Sequence, residues 1–203
     1  MKKAFLLALF LLAPPGAVIG WREYQTSQKF PHRFAEVEPG ALYRGGYPTA
    51  ENIENLKHEH NIKTVISLTD ERENNAEERK MLETVDRLGL KFFRIKMPGD
   101  GRADFTSLDM AADAMANKQN WPVFFHCAAG KQRSNAALAA YRLKYEGWPV
   151  ERTIDDLKRY DLDPAQESPL CEHLRQYSRW VASHRPLPPV AASRPVNPTR
   201  PGR

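Results

Sequence analysis

Residues 121–146, WPVFFHCAAGKQRSNAALAAYRLKYE, constrain this chain more than any other stretch. Val123, Phe124 and Phe125 make a short apolar run that reads as a buried strand. A tight loop from His126 to Arg133 follows, and then a long helix from about Ser134. The loop holds one thiol, Cys127, and one guanidinium, Arg133, separated by five residues, with Gly130 between them and the Ser134 hydroxyl just after.

A loop of this length at a helix N-terminus can turn the backbone N–H groups of Ala128, Ala129, Gly130, Lys131, Gln132 and Arg133 inward as a nest for an anion. A thiol at the floor of such a nest has its pKa lowered by the positive potential there. Arg133 can hold two phosphate oxygens in its planar fork. Gly130 supplies a backbone conformation that a Cβ would obstruct. Binding a phosphate and presenting it to a thiolate is the chemistry this arrangement serves.

His126-Cys127, five residues and then Arg133-Ser134 resemble the signature of the cysteine-dependent protein tyrosine phosphatase superfamily. Pro39-Gly40-Ala41-Leu42-Tyr43-Arg44, with Pro48 beyond, is similar to the opening of its small bacterial, dual-specificity-like members. The resemblance implies Cys127 as nucleophile, Arg133 and the loop amides as phosphate binders, and Ser134 as the group that assists thiolate departure. His126 is expected to orient the loop and tune the thiol. An aspartate on a mobile loop is implied as general acid. Two residues fit, Asp100 between Gly99 and Gly101, and Asp104 where a helix cap is expected. Asp100 is preferred. Asn135 stands where many members have glycine. No metal or cofactor is implied.

The rest of the chain alternates strands and helices. Leu42–Tyr43, Thr64–Leu68 and Leu90–Lys96 read as strands, the last with Phe93, Ile95 and Met97 on one face. Helices are predicted from Thr49, a cap residue, to His60, over Ala76–Leu88 with Gly89 ending it, and over Phe105–Asn117. Two more run over Val150–Tyr160 and Pro169–Ser183. The expected fold is α/β, a mostly parallel sheet of four to five strands with helices on both faces. The resemblance implies the same fold.

The chain has 203 residues, 41% hydrophobic and 27% charged, as expected of one globular domain. A net charge of +5 suits anionic substrates. There is no interleaved basic and aromatic stripe, so nucleic acid is not an expected partner. Cys127 and Cys171 make neither a disulfide framework nor a zinc pattern. Reversible trapping of Cys127 by Cys171 is one reading, and a free, packed Cys171 is the preferred one.

Lys2 and Lys3 before the apolar run Ala4–Ala13, with Pro14 and Pro15 after it, have the layout of a secretory signal peptide over residues 1–20. Export to the periplasm or medium is expected. An uncleaved inner-membrane anchor, giving membrane proximity, is the alternative. Residues 21–33 read as a lead-in arm, 34–185 as the phosphatase domain, and 186–203, with six prolines and three arginines, as a disordered or extended tail. A monomer is expected.

A phosphorylated protein is the first substrate reading, and a phosphoinositide or inositol phosphate the alternative. Lys131 resembles the lysine in Gly-Lys-x-Arg loops of the inositol-phosphate branch, where it would meet a second phosphate, with Arg102 and Lys96 adding charge. Two readings from other classes are a sulfurtransferase and a phosphate-binding pseudophosphatase. Arg133, Ser134 and the aspartate loop argue against the first, and the complete Cys127, Arg133 and Ser134 set against the second.

Overall fold

The computed structural model describes residues 29–71 and 75–184. The signal-peptide reading, most of the lead-in arm and the Pro/Arg-rich tail lie outside the described residues. Five strands, β1 (Ala35–Glu38), β2 (Leu42–Gly45), β3 (Thr64–Ser67), β4 (Lys91–Arg94) and β5 (Val123–His126), form one sheet in the order β1-β2-β5-β3-β4. Only the β1–β2 pair is antiparallel. This is the α/β architecture the alternation predicts.

β5 is the central strand. It pairs with β2 through Leu42↔Val123 to Gly45↔His126 and with β3 through Thr64↔Val123 to Ser67↔His126. Both faces are covered, so the strand reads as a continuous apolar run. Val123 and Phe125 enter the larger apolar cluster, with Leu42 and Ile66. Phe124 enters the smaller one on the other face, with Tyr43 and Val65.

The helices are α1 (Ala50–His60), α2 (Ala76–Arg87), α3 (Phe105–Ala116), α4 (Gln132–Tyr141), α5 (Val150–Leu157) and α6 (Ser168–His184). α1 starts at Thr49 in a capping box: the Thr49 hydroxyl accepts from Asn52 N–H, and the Asn52 side chain accepts from Thr49 N–H. Asn75 caps α2 by accepting from Glu77 and Glu78 N–H. Asp104 caps α3.

Four features differ from the sequence reading. Packing begins at Phe30 rather than Phe34, because Phe30 stacks on Phe34 with centroids 4.5 Å apart and is buried in the smaller cluster. A fifth strand, β1, precedes the predicted first one. Phe93 stays 38% exposed although Ile95 and Met97 are buried, since β4 is a sheet edge with no strand beyond it. The helix after the loop begins at Gln132, two residues early, and its last turn, Arg142–Glu146, is π-helical.

Replacing Thr49 by Ala removes the capping oxygen of α1. A loss of about 1 kcal/mol is expected in urea denaturation, without change in the signature loop. An unchanged midpoint would show that the capping box does not stabilise the helix.

Candidate active site

β5 ends at His126, and Cys127 follows with 2% of its surface exposed. The next three carbonyls all point away from the loop centre. Ala128 O accepts from Tyr47 N–H at 3.0 Å. Ala129 O accepts from Arg33 Nη1 at 3.0 Å, and Gly130 O from Arg44 Nη2 at 2.8 Å. In planar trans peptides a carbonyl turned outward sends the following N–H inward. The amides of Ala129, Gly130 and Lys131 therefore line the concave side. No side chain caps the first turn of α4, which leaves its N–H groups for an anion.

Close approach of two backbones fixes Gly130. Its φ is +68°, and a Cβ there would lie 2.7 Å from Gly45 C and Gly46 N. The loop thus rests on the end of β2. His126 is fully buried against Phe124 and Tyr47, and its Nδ1 lies 3.3 Å from the Cys127 carbonyl. Its place is beside the loop backbone.

Burial alone pushes the Cys127 thiol up. The Ser134 hydroxyl, the Ser134 and Lys131 N–H groups and the Arg133 charge outweigh it, and the thiol is held below its ordinary range. Ser134 is fully buried. Arg133 Nε is buried with no hydrogen-bond partner among the described residues, a donor that suits a bound oxyanion.

Arg44 is fully buried in β2. Besides Gly130 O, it donates through Nη1 to Asn135 Oδ1 at 2.7 Å, and its guanidinium lies 4.3 Å from the centroid of the Tyr160 ring. Asn135 in turn donates to Tyr160 O at 3.2 Å. The asparagine that replaces the usual glycine is thus a bridge between loop, helix and β2. Burial lowers the Arg44 pKa to about 10, which leaves it charged at neutral pH. Arg33, at a left-handed φ of +54°, also pairs with Asp161.

The two aspartates differ. Asp104 is occupied as a cap: Oδ1 accepts from Ser107 N–H and Oδ2 from the Ser107 hydroxyl. Asp100 sits at a loop tip and lines a cleft of about 260 Å³ with Gln132, Arg102 and Glu167. Arg102 N–H and then its guanidinium donate to Asp100 and hold its carboxyl below the usual range. The loop is docked on the signature loop, since a Cβ on Gly101, at φ +79°, would lie 2.8 Å from Gln132 O.

Lys131 is partly exposed but paired. Its Nζ lies 3.2 Å from Glu167 Oε1, which also accepts from Gln132 Nε2 at 2.8 Å. Arg102 and Lys96 are paired as well, with Asp100 and Asp70. Cys171 is a buried free thiol on α6, pushed up by burial.

Sequence reasoning missed Arg33, Arg44 and Glu167. Arg44 carried a signal, a charge inside an otherwise apolar strand, which demands partners. Arg33 and Glu167 carried none, because their partners are distant in sequence.

An α/β domain that places a low-pKa thiol inside a ring of inward amides defines a class of cysteine-based phosphate-binding sites. The model of the tyrosine phosphatase family matches residues 30–184, and the chain belongs to that family. It is 26% identical over 109 residues to the tyrosine-protein phosphatase-like protein OCA2 of Saccharomyces cerevisiae, covering 53% of this chain and 54% of that one. It is 24% identical over 118 residues to the dual specificity protein phosphatase TpbA of Pseudomonas aeruginosa, covering 58% and 50%. The chain spans about half the length of these relatives. The core catalytic domain of the PP-IP phosphatase SIW14 from S. cerevisiae superposes with a TM-score of 0.61 at 23% identity, over 76% of this chain and 93% of that one.

The thiol and its support give two expectations. Inactivation by iodoacetamide should inflect below the ordinary thiol pKa of about 8.5, and Ser134→Ala should move the inflection up. Arg44→Lys keeps a charge but cannot span Gly130 O and Asn135, so vanadate inhibition should weaken roughly tenfold. An unshifted profile in Ser134→Ala, or full vanadate affinity in Arg44→Lys, would contradict these assignments.

Proposed function

We propose that the protein is a cysteine-dependent phosphoric monoester hydrolase that acts on phosphorylated proteins in the dual-specificity manner. The observation that carries this reading is the Cys127 thiol, lowered by Ser134, Lys131 N–H and Arg133, at the floor of a loop whose carbonyls are held outward. Membership in the tyrosine phosphatase family and the similarity to a dual specificity protein phosphatase support it.

In the first step the Cys127 thiolate attacks phosphorus. An S–P bond forms, the P–O bond to the leaving group breaks, and Asp100 supplies the proton that the leaving oxygen takes up. Charge on the equatorial oxygens meets Arg133 and the inward amides. In the second step water attacks phosphorus and gives its proton to Asp100. The S–P bond breaks, the electron pair returns to sulfur, and the Ser134 hydroxyl stabilises the thiolate. To donate its proton, Asp100 exchanges its bond with Arg102 for one with the leaving oxygen.

The neighbouring PP-IP phosphatase fold fits an inositol-phosphate substrate, the second reading. Lys131, the side chain that reading needs, is occupied by Glu167. The N-terminal basic and apolar pattern supports export, and an activity fusion reporting periplasmic location tests it.

Cys127→Ser should abolish hydrolysis of p-nitrophenyl phosphate and of phosphopeptides while oxyanions such as phosphate still bind. Wild-type activity should persist in EDTA, and loss restored by a metal would sink the reading. Asp100→Asn should reduce kcat more for alkyl than for aryl phosphates, whose leaving groups need less protonation. Arg102→Ala removes one cause of the lowered Asp100 pKa, so the acid stays protonated to higher pH. The alkaline limb of kcat should move up, and a limb that stays put would assign the proton to another group.

A further inference from the structure

The sequence marks three cations for a second phosphate, and the structure pairs each of them with a carboxylate. Lys96 meets Asp70, Arg102 meets Asp100, and Lys131 meets Glu167. The first two pairs are open to water. The third is sheltered, with side-chain exposures of 26% for Lys131 and 10% for Glu167. Screening is weaker there, and the ion pair correspondingly firmer.

Glu167 is rigidly placed. Its N–H donates to Asp163 O at 2.7 Å, its carbonyl accepts from Cys171 N–H at 3.1 Å, and Oε2 accepts from Asp163 N–H at 3.1 Å. The other oxygen takes both Lys131 Nζ and Gln132 Nε2. The carboxylate therefore faces two consecutive residues of the signature loop and lines the cleft beside it, with Asp100. A substrate carrying a second phosphate next to the one on Cys127 meets this carboxylate. To recruit Lys131 it has to break a sheltered pair and leave Glu167 uncompensated beside new negative charge.

We propose that Glu167 is a specificity-determining residue: by holding Lys131 as an ion pair it makes the pocket accept a single phosphoryl group and disfavour substrates with an adjacent second anion. This rests on the phosphatase reading and narrows its substrate class toward phosphoproteins. Glu167 touches no reacting atom and acts through Lys131, so it is a positioning residue.

The test compares two competitive inhibitors of p-nitrophenyl phosphate hydrolysis, orthophosphate with one phosphoryl group and pyrophosphate with two. Glu167→Gln removes the negative charge that pairs with Lys131 and keeps one oxygen, which accepts from Asp163 N–H or from Gln132 Nε2 but not from both. The inhibition constant for pyrophosphate should fall about tenfold and that for orthophosphate less than threefold. In a Lys131→Met background the same Glu167→Gln change should shift the ratio of the two constants by no more than about threefold, since it then only removes the repulsion of a bare carboxylate and frees no cation. Lys131→Met alone strips Glu167 of its counter-charge and should weaken pyrophosphate relative to orthophosphate by no more than about threefold. A purely structural Glu167 would move both constants together. The proposal is overturned if Glu167→Gln leaves the ratio unchanged, or if its full tenfold gain survives in the Lys131→Met background. Absence of turnover in the wild type would instead count against the phosphatase reading, and the same ratio is then read from dissociation constants by titration calorimetry.

Discussion

Three carbonyl groups held outward decide what this domain can bind. Ala128, Ala129 and Gly130 would satisfy their oxygens in any of several ways in a free loop. Here Tyr47 N–H, Arg33 and Arg44 take them, one each. The peptide planes are thereby fixed, and with them the direction of the amides that follow. The rest of the site is built on this loop: the Cys127 thiol held below its ordinary range, an Arg133 Nε without a partner among the described residues, and the start of α4 without a side-chain cap.

That constraint carries an energetic cost, because Arg44 is a guanidinium without solvent exposure. Burial of such a charge needs partners for its donors, and Arg44 uses Nη1 and Nη2 while its Nε has no hydrogen-bond partner among the described residues. Two charge-assisted hydrogen bonds, each contributing about 1.5–3 kcal/mol, and the face of Tyr160 offset the desolvation. Asn135 belongs to the same arrangement, since a glycine there would leave Arg44 Nη1 and Tyr160 O without their shared partner. The replacement and the buried arginine are one feature seen from two elements.

The parts of this structure that are legible in the sequence are those governed by neighbours in the chain. Val123–Phe125 are apolar on both faces, Thr49 is a cap residue at the start of its helix, and Gly130 marks a turn. The Cys127 thiol and Arg133 are close in sequence for the same reason. What stays hidden depends on tertiary contact. AEVE at Ala35–Glu38 is too short and polar to announce an antiparallel edge strand. The π-helical turn at Arg142–Glu146 keeps helical composition while changing its spacing. Lys131 looks free until α6 brings Glu167 against it, and Phe93 looks buried until β4 proves to be an edge.

The residues that grip the loop lie 86 and 96 positions before it. No fragment shorter than most of the domain can contain both the cysteine and its anchors. The outward set of the loop carbonyls is therefore a tertiary property, acquired only when the segment that carries Arg33 and Arg44 has met the signature loop. A chain cut or opened between them keeps every residue of the signature and loses the grip that shapes it.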